Sequence, residues 1–225
     1  GNLEGKRIVV QGLGNVGYHA AKFLQEGDGA KIIAVIERDG AVVDEKGLKI
    51  EPLLEHLKAN KGVKGFPGAT FVAEGKKVLE AECDILLPAA MENQITKENA
   101  PRIRAPLIAE AANGPTSYEA DEYLRSHGKV VIPDAFLNAG GVTVSYFEWI
   151  KNISHIRMGR IARREEERRG STIVELIETM MGKKVPAEFA ARLTRGAEEL
   201  DLVRSGLDDT MRKAYQEIRD VFSSK

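Results

Sequence analysis

Three glycines in the spacing Gly12-x-Gly14-x-x-Gly17 constrain the fold of this chain more than any other feature. The apolar residues 8–10 come directly before them, and an amphipathic segment that includes Leu24 follows. This order predicts a buried strand, a tight turn and a helix whose N-terminus can receive a pyrophosphate. The first glycine permits the turn, the second lets the backbone approach the phosphates, and the third lets the helix pack against the strand. A purely structural glycine turn is the alternative.

An acidic residue follows the second predicted strand. Residues 32–36 are apolar, and Glu37 comes directly after them, 20 residues beyond Gly17. Dinucleotide-binding folds place at this position the carboxylate that binds the adenosine ribose hydroxyls. Arg38 comes next and is either a solvated loop residue or a partner for a ribose 2′-phosphate. We therefore expect NAD to be preferred over NADP by a modest margin, with use of both as the alternative.

The remaining pattern predicts the fold class. Up to residue 150, short apolar runs alternate with amphipathic stretches, which is typical of an α/β fold with a Rossmann-type, doubly wound, mainly parallel sheet,. Residues 151–225 are highly charged and helical in pattern, and we expect them to form a helical extension of the same domain,. Its last helix is predicted to begin after a break at Ser205–Gly206.

Small and amide residues follow three of the predicted strands. These are Ala89–Ala90, Asn113–Gly114 and the four residues 138–141. An Asn-Gly pair taken alone is typical of a turn. Ligands of open parallel sheets, however, bind just beyond the carboxyl ends of the strands, so all three sets are expected to line one crevice.

Composition excludes several other functions. A net charge of −1 gives no indication of nucleic acid or an acidic membrane as a partner, and no apolar run is long enough to span a membrane,. The single cysteine, Cys83, fits a small core residue in a reducing cytoplasm better than a nucleophile,. The four histidines show no metal-ligand spacing, so we expect no metal site,. The chain begins without methionine, which is compatible with an excised domain.

Longer motifs identify a family resemblance. They are "DILLPAAMENQIT", "AEAANGPT", "VIPDAFLNAGGVTVSYFEW" and "SGLDDTM". Together with the glycine turn they resemble the C-terminal, dinucleotide-binding domain of the glutamate dehydrogenases. Leucine and phenylalanine dehydrogenases share the glycine turn and "NAGGV" but do not continue into "TVSYFEW". Ala111 departs from the glycine common in the family, and the segment between Trp149 and Ser205 is longer than in the shortest bacterial members.

The resemblance extends the candidate site. With the residues identified above, the expected cofactor-binding set is Gly12, Gly14, Asn15, Val16, Gly17, Glu37, Arg38, Ala89, Ala90, Asn113 and Asn138. The first four resemble the pyrophosphate loop, the two alanines border the cofactor, and the two asparagines resemble the amides at its nicotinamide end. Val142 and Ser145 resemble residues that reach the side chain of glutamate, Ser145 through a hydroxyl to the distal carboxylate.

The resemblance also implies an activity. It is the oxidative deamination of L-glutamate to 2-oxoglutarate and ammonium, with hydride transfer to NAD or NADP, in a parent enzyme that is a homo-hexamer. The family's catalytic lysine and aspartate belong to an N-terminal substrate domain that this sequence lacks, so we expect no catalytic residue here and an inactive fragment. The alternatives are a dehydrogenase for a branched or aromatic amino acid, or a stand-alone dinucleotide-sensing module.

Overall fold

A computed structural model describes residues 2–154, 158–195 and 199–223. The chain divides into two compact units, Gly1–Ala139 and Gly140–Lys225. The first unit contains a seven-stranded sheet with helices on both faces. The second unit is helical throughout its described residues, apart from short connections. The α/β fold with a C-terminal helical segment predicted from the sequence is therefore confirmed.

Strand order places the centre of the sheet at the first strand. The strands are β1 (Arg7–Gln11), β2 (Lys31–Glu37), β3 (Gly40–Val43), β4 (Thr70–Val72), β5 (Ile85–Pro88), β6 (Leu107–Ala109) and β7 (Val130–Ile132). Their order across the sheet is β4-β3-β2-β1-β5-β6-β7. β1 pairs in parallel with β2 on one side and with β5 on the other. The chain thus winds outward in both directions from β1, which makes its carboxyl end the topological switch point.

β2 forms an antiparallel hairpin with β3, and β4 continues the sheet beyond it. β3 runs antiparallel to both β2 and β4. The sequence pattern does not reveal this hairpin, since β3 is only four residues long. Gly40 at its turn has φ +143°, and a Cβ there would lie 2.6 Å from the carbonyl oxygen of Val72. Because two reversals restore the direction of the chain, β4 ends at the same edge of the sheet as β2.

Helices cover the sheet and create a core on each face. In the first unit they are α1 (Asn15–Glu26), α2 (Ile50–Asn60), α3 (Tyr118–Ser126) and α4 (Asp134–Leu137). Alternate residues of β1 point to opposite cores: Val9 belongs to one, and Ile8 and Val10 to the other, all fully buried. Cys83 is also buried, and this burial raises the pKa of its thiol to about 11, so the group stays protonated at neutral pH.

The three glycines after β1 differ in what surrounds them. Gly12 has φ +85°, which only glycine adopts without strain,. At Gly17 a Cβ would lie 1.9 Å from the carbonyl oxygen of Gly12, so α1 packs directly on the turn. At Gly14 a Cβ would meet no heavy atom within 4 Å. The fold therefore requires glycine at the first and third positions, and leaves open space at the second.

This difference predicts how alanine substitutions change stability. We expect Gly17→Ala to lower the free energy of unfolding by at least about 2 kcal/mol, because its methyl group collides with backbone that must move. The matched variant Gly14→Ala should cost less than about 1 kcal/mol, the scale of a changed helix N-cap. Urea unfolding followed by circular dichroism measures both. Equal losses for the two variants would contradict this account of the turn.

The described residues of the second unit form the helices α5 (Ala139–Ser154), α6 (Met158–Met181), α7 (Ala187–Thr194) and α8 (Glu199–Ser223). The predicted break at Ser205–Gly206 is wrong, because α8 runs through it. A glycine inside a helix costs only about 1 kcal/mol, and a Cβ at Gly206 would lie 3.6 Å from the Phe147 ring, so the small residue lets these helices approach. The pair Gly140–Gly141, predicted to follow a strand end, lies in α5.

Ion pairs four residues apart line α6, including Arg163 with Glu167 and Arg169 with Glu165. No described helix is both long and apolar enough to cross a membrane. Within the same described ranges, no group of three or more histidine, cysteine, aspartate or glutamate side chains is arranged to hold a metal ion.

Candidate functional site

Two clefts lie at the carboxyl edge of the sheet, one on each side of the turn after β1. The first, here called the β2 cleft, has a volume of about 610 Å³. It is lined by Gln11, Gly12, Ile36, Glu37, Arg38, Gly40, Ala73, Glu74, Gly75, Lys76, Lys77, Ala90, Met91 and Gln94. The second, the β6 cleft, has a volume of about 490 Å³. It is lined by Val16, Ala89, Ala90, Met91, Glu92, Ala111, Ala112, Asn113 and Asn138.

Ala90 and Met91 line both clefts, so the two meet above the ends of β1 and β5. Backbone hydrogen bonds fix this meeting point. The N–H of Gly12 donates to the carbonyl of Ile36 at 2.8 Å, and the N–H of Ala89 donates to the carbonyl of Gln11 at 2.8 Å. The glycine turn is thus tied to both neighbouring strands, at the place where open α/β sheets bind their ligands.

The N-terminus of α1 is available to an anion. Gly14 is its N-cap, no side chain caps the helix, and no acidic residue lies in its first turn. Uncapped N–H groups and the positive end of the helix dipole together favour a bound phosphate. The open space at Gly14 would admit that phosphate and would be filled by a side chain. These features fit the pyrophosphate of a dinucleotide.

Glu37 is held in place by the turn it faces. Its Oε1 accepts a hydrogen bond from the N–H of Leu13 at 2.5 Å, while the residue stays half-buried in the wall of the β2 cleft. No other hydrogen bond of this carboxylate is found among the described residues. One oxygen is thus fixed by the glycine turn and the other is available to accept ribose hydroxyls, which fits an unphosphorylated adenosine ribose.

Two asparagine side chains meet at the β6 cleft, on the other side of the glycine turn from Glu37. The side-chain amide of Asn138 donates to Oδ1 of Asn113 at the wall of the β6 cleft. Asn113 is positioned by its neighbour Gly114, whose N–H donates to Asp134 at 2.7 Å. The N–H of Asp134 in turn donates to Glu110 at 3.0 Å. The ends of β6 and β7 are therefore held together by side chains as well as by the sheet.

Most of the residues predicted from the sequence lie at these two clefts. Gly12, Glu37, Arg38 and Ala90 line the β2 cleft, and Val16, Ala89, Ala90, Asn113 and Asn138 line the β6 cleft. Gly14, Asn15 and Gly17 belong to the turn and the first residues of α1. Val142 and Ser145 lie on α5 in the second unit, where Val142 is exposed and the Ser145 hydroxyl donates to the carbonyl of Gly141 at 3.1 Å.

Sequence reasoning missed two buried polar side chains. Gln11, at the last position of β1, is 6% exposed, and its amide donates to Oε1 of Gln94 at 2.9 Å. Its own Oε1 is buried without a hydrogen-bond partner in the described part of the chain. Glu110 is likewise 6% exposed, just beyond β6. The available signal is a polar residue at the end of an apolar strand, immediately before a small-residue turn.

The β6 cleft has few side chains that could transfer a proton. Among the residues that line it, Glu92 is the one ionisable side chain, and the others are small, apolar or amide. Amides and small residues can orient a flat polar group by hydrogen bonds but cannot transfer protons at neutral pH. Apart from Glu92, this wall is therefore suited to holding a ligand and not to transferring protons.

Comparisons with known proteins agree on one group. Residues 1–218 match the Glutamate/Leucine/Phenylalanine/Valine dehydrogenase family. Over 224 residues the chain is 49% identical to a probable glutamate dehydrogenase of Sinorhizobium fredii, covering 100% of this chain and 51% of that protein. It is 48% identical over 223 residues to the mitochondrial glutamate dehydrogenase of Dictyostelium discoideum, covering 99% of this chain and 44% of that protein.

A solved structure is similar over nearly the whole chain. It is the Leu-bound, hetero-hexameric glutamate dehydrogenase of Thermus thermophilus, with a TM-score of 0.63 and 26% identity. The alignment covers 95% of this chain and 48% of that one. The chain thus spans about half the length of the curated relatives it matches.

Proposed function

The chain belongs to the Glutamate/Leucine/Phenylalanine/Valine dehydrogenase family, and we propose that it is the dinucleotide-binding part of a glutamate dehydrogenase. Membership confirms the resemblance inferred from its motifs. The observation that carries the proposal is the uncapped, open N-terminus of α1 at the switch point, with the Glu37 carboxylate fixed beside it. Residues 1–150 would bind the dinucleotide, and residues 151–225 would form the helical extension.

The proposed reaction is the oxidative deamination of L-glutamate to 2-oxoglutarate and ammonium. The nicotinamide, when bound, accepts the hydride that leaves the α-carbon. In this proposal the N–H groups at Gly14, Asn15 and Val16 hold the pyrophosphate, and Gly12 and Gly17 shape the turn. Glu37 accepts hydrogen bonds from the ribose hydroxyls. The pyrophosphate and ribose roles use groups that the fold leaves available, the uncapped N-terminus of α1 and the second carboxylate oxygen of Glu37.

The nicotinamide end is proposed to lie in the β6 cleft. Ala89 and Ala90 would border it, and the amides of Asn113 and Asn138 would orient its carboxamide. Val142 and Ser145 would contact the glutamate side chain, with the Ser145 hydroxyl donating to the distal carboxylate. No residue of this chain is assigned to proton transfer, since the β6 cleft, apart from Glu92, is lined by amide, small and apolar side chains.

We also propose an assembly and a cellular location for the parent protein. The Thermus thermophilus relative is described as hetero-hexameric, and we propose that the parent of this chain is a homo-hexamer. We propose a cytoplasmic location from its single, buried cysteine, although the Dictyostelium relative is named as mitochondrial,.

Cofactor preference tests the role of Glu37. We expect the wild type to bind NAD about tenfold more tightly than NADP, because a 2′-phosphate near the carboxylate meets a repulsion that solvent and salt only partly screen. Glu37→Ser should weaken NAD by about tenfold, the scale of hydrogen bonds to a charged acceptor, and should not weaken NADP. Calorimetric titration of both cofactors measures this. Tighter binding of NADP than NAD by the wild type would remove the role given to Glu37.

A further inference from the structure

The two asparagine side chains at the β6 cleft leave a donor and an acceptor close together. The amide of Asn138 donates to Oδ1 of Asn113, and no other hydrogen bond of either side chain is found among the described residues. The amide nitrogen of Asn113 can therefore still donate, and Oδ1 of Asn138 can still accept. A primary carboxamide such as that of nicotinamide needs one donor and one acceptor, so it fits this pair.

Burial contributes little to holding the asparagine pair in place. Asn113 and Gly114 are both exposed, and Asn138 is half-buried. The two asparagines are 25 residues apart, one in the turn after β6 and the other at the C-terminal end of α4. Their pairing therefore depends on hydrogen bonds that keep the turn and the helix at a fixed spacing.

Asp134 is bonded to both of these segments. Its Oδ2 accepts a hydrogen bond from the N–H of Gly114 at 2.7 Å, and its carbonyl accepts one from the N–H of Asn138 at 2.9 Å. Its own N–H donates at 3.0 Å to Oε2 of Glu110, which is buried. Hydrogen bonds from backbone N–H groups to carboxylates are among the stronger ones in proteins. Asp134 thus connects the turn that carries Asn113 to the helix that precedes Asn138.

We propose that Asp134 is a positioning residue that orients the nicotinamide of a bound dinucleotide, by holding Asn113 and Asn138 at the spacing that the carboxamide requires. This inference rests on the proposed function and deepens it. Asp134 is not among the residues that line the β6 cleft, so it acts through the two asparagines and not by contact with the ligand. Without its carboxylate, the N–H of Gly114 loses its acceptor and the turn can move away from α4. The proposed pyrophosphate and adenosine sites, at the turn after β1, would be unaffected.

The test compares NAD with ADP-ribose, which lacks the nicotinamide ring, by calorimetric titration into the wild type and three variants. Asp134→Ala removes the acceptor for Gly114, whereas Asp134→Asn keeps an oxygen acceptor without the charge,. Asp84→Ala is the matched control, because Asp84 is also half-buried and its Oδ2 accepts from the N–H of Arg7 at 2.7 Å. Asp84 precedes β5 at the opposite edge of the sheet and lines neither the β2 nor the β6 cleft.

The expected results distinguish the two ligands. The wild type should bind NAD about 30-fold more tightly than ADP-ribose, the scale of two neutral hydrogen bonds. Asp134→Ala should weaken NAD by about tenfold and leave ADP-ribose within about twofold, because only the nicotinamide loses its partners. Asp134→Asn should keep NAD within about threefold of the wild type, since the amide oxygen can still accept from Gly114. The control should leave both ligands within about twofold.

The outcomes separate this inference from the proposed function. If the wild type binds neither NAD nor ADP-ribose, the proposed function itself fails. If the wild type binds NAD no more tightly than ADP-ribose, or if Asp134→Ala weakens both ligands equally or neither, only the role of Asp134 is overturned. The same conclusion follows if Asp134→Asn or the control loses as much affinity for NAD as Asp134→Ala.

The fluorescence of bound NADH adds an independent readout, because the emission of the reduced nicotinamide depends on its surroundings. Asp134→Ala should shift the emission of the bound cofactor toward that of free NADH, and Asp84→Ala should leave it as in the wild type. An unchanged emission spectrum in Asp134→Ala would show that the nicotinamide keeps its place without this carboxylate, and would overturn the inference.

Discussion

The 225-residue chain on its own should bind NAD but leave glutamate unoxidised. We expect turnover below about 10⁻³ per second, against about 10 per second for a typical enzyme. Apart from Glu92, the β6 cleft supplies no group for proton transfer, which contributes roughly 10²–10⁴-fold, and the rest of the proposed parent enzyme would supply substrate positioning, which contributes more,. Formation of reduced cofactor, followed by its absorbance with glutamate and NAD in excess, measures the rate.

A full-length relative, such as the Sinorhizobium fredii protein, serves as the positive control for this assay. The chain must also be shown to be folded and to bind NAD under the same conditions, so that inactivity is not caused by unfolding. Turnover of about 1 per second or more by the 225-residue chain would place it in the ordinary enzyme range and contradict the assignment of catalysis to another segment,.

Gly14→Val should abolish measurable NAD binding without unfolding the sheet. The side chain would occupy the open space at the N-terminus of α1, where the proposed pyrophosphate lies, and nothing within 4 Å of its Cβ would have to move. Losing two charge-assisted hydrogen bonds to the phosphates should weaken NAD by at least about 100-fold. Calorimetric titration measures the affinity, and circular dichroism checks the fold.

Lys49→Val is the matched control for this substitution. Lys49 is the N-cap of α2, it also makes no side-chain cap, and it lines neither the β2 nor the β6 cleft. Valine there should leave the affinity for NAD within about twofold, since it changes a helix N-terminus that lies outside both clefts,. If Gly14→Val bound NAD as tightly as this control, the glycine turn would not be the pyrophosphate site.

The features of the site that are local in sequence could be predicted from it. The strand, turn and helix around Gly12 and Gly17 follow from an apolar run, glycine spacing and an amphipathic face. The position of Glu37 follows from the same spacing, because a continuous apolar run marks a strand buried on both faces and its end marks the edge of the sheet. Each of these patterns is set by neighbouring residues and needs no knowledge of distant contacts.

The features that depend on distant pairing could not be predicted. The antiparallel pairing of β3 with both β2 and β4 brings Lys76 to the edge where Glu37 lies, and short antiparallel strands leave only a weak periodic signal,. The buried amide of Gln11 depends on Gln94, which lies 83 residues away. Glycine disfavours helices, so Gly206 indicates a break from sequence alone, whereas packing beside Phe147 tolerates it,. In each case a tertiary contact outweighs the local preference.

The most direct test of the central claim is a crystal structure of this chain with NAD bound. We expect the pyrophosphate within hydrogen-bond distance of the N–H groups at Gly14 to Val16, and an adenosine ribose hydroxyl bonded to Glu37. The carboxamide of the nicotinamide should lie in the β6 cleft against Asn113 and Asn138. A dinucleotide bound elsewhere, or bound with its phosphates away from the N-terminus of α1, would contradict the account.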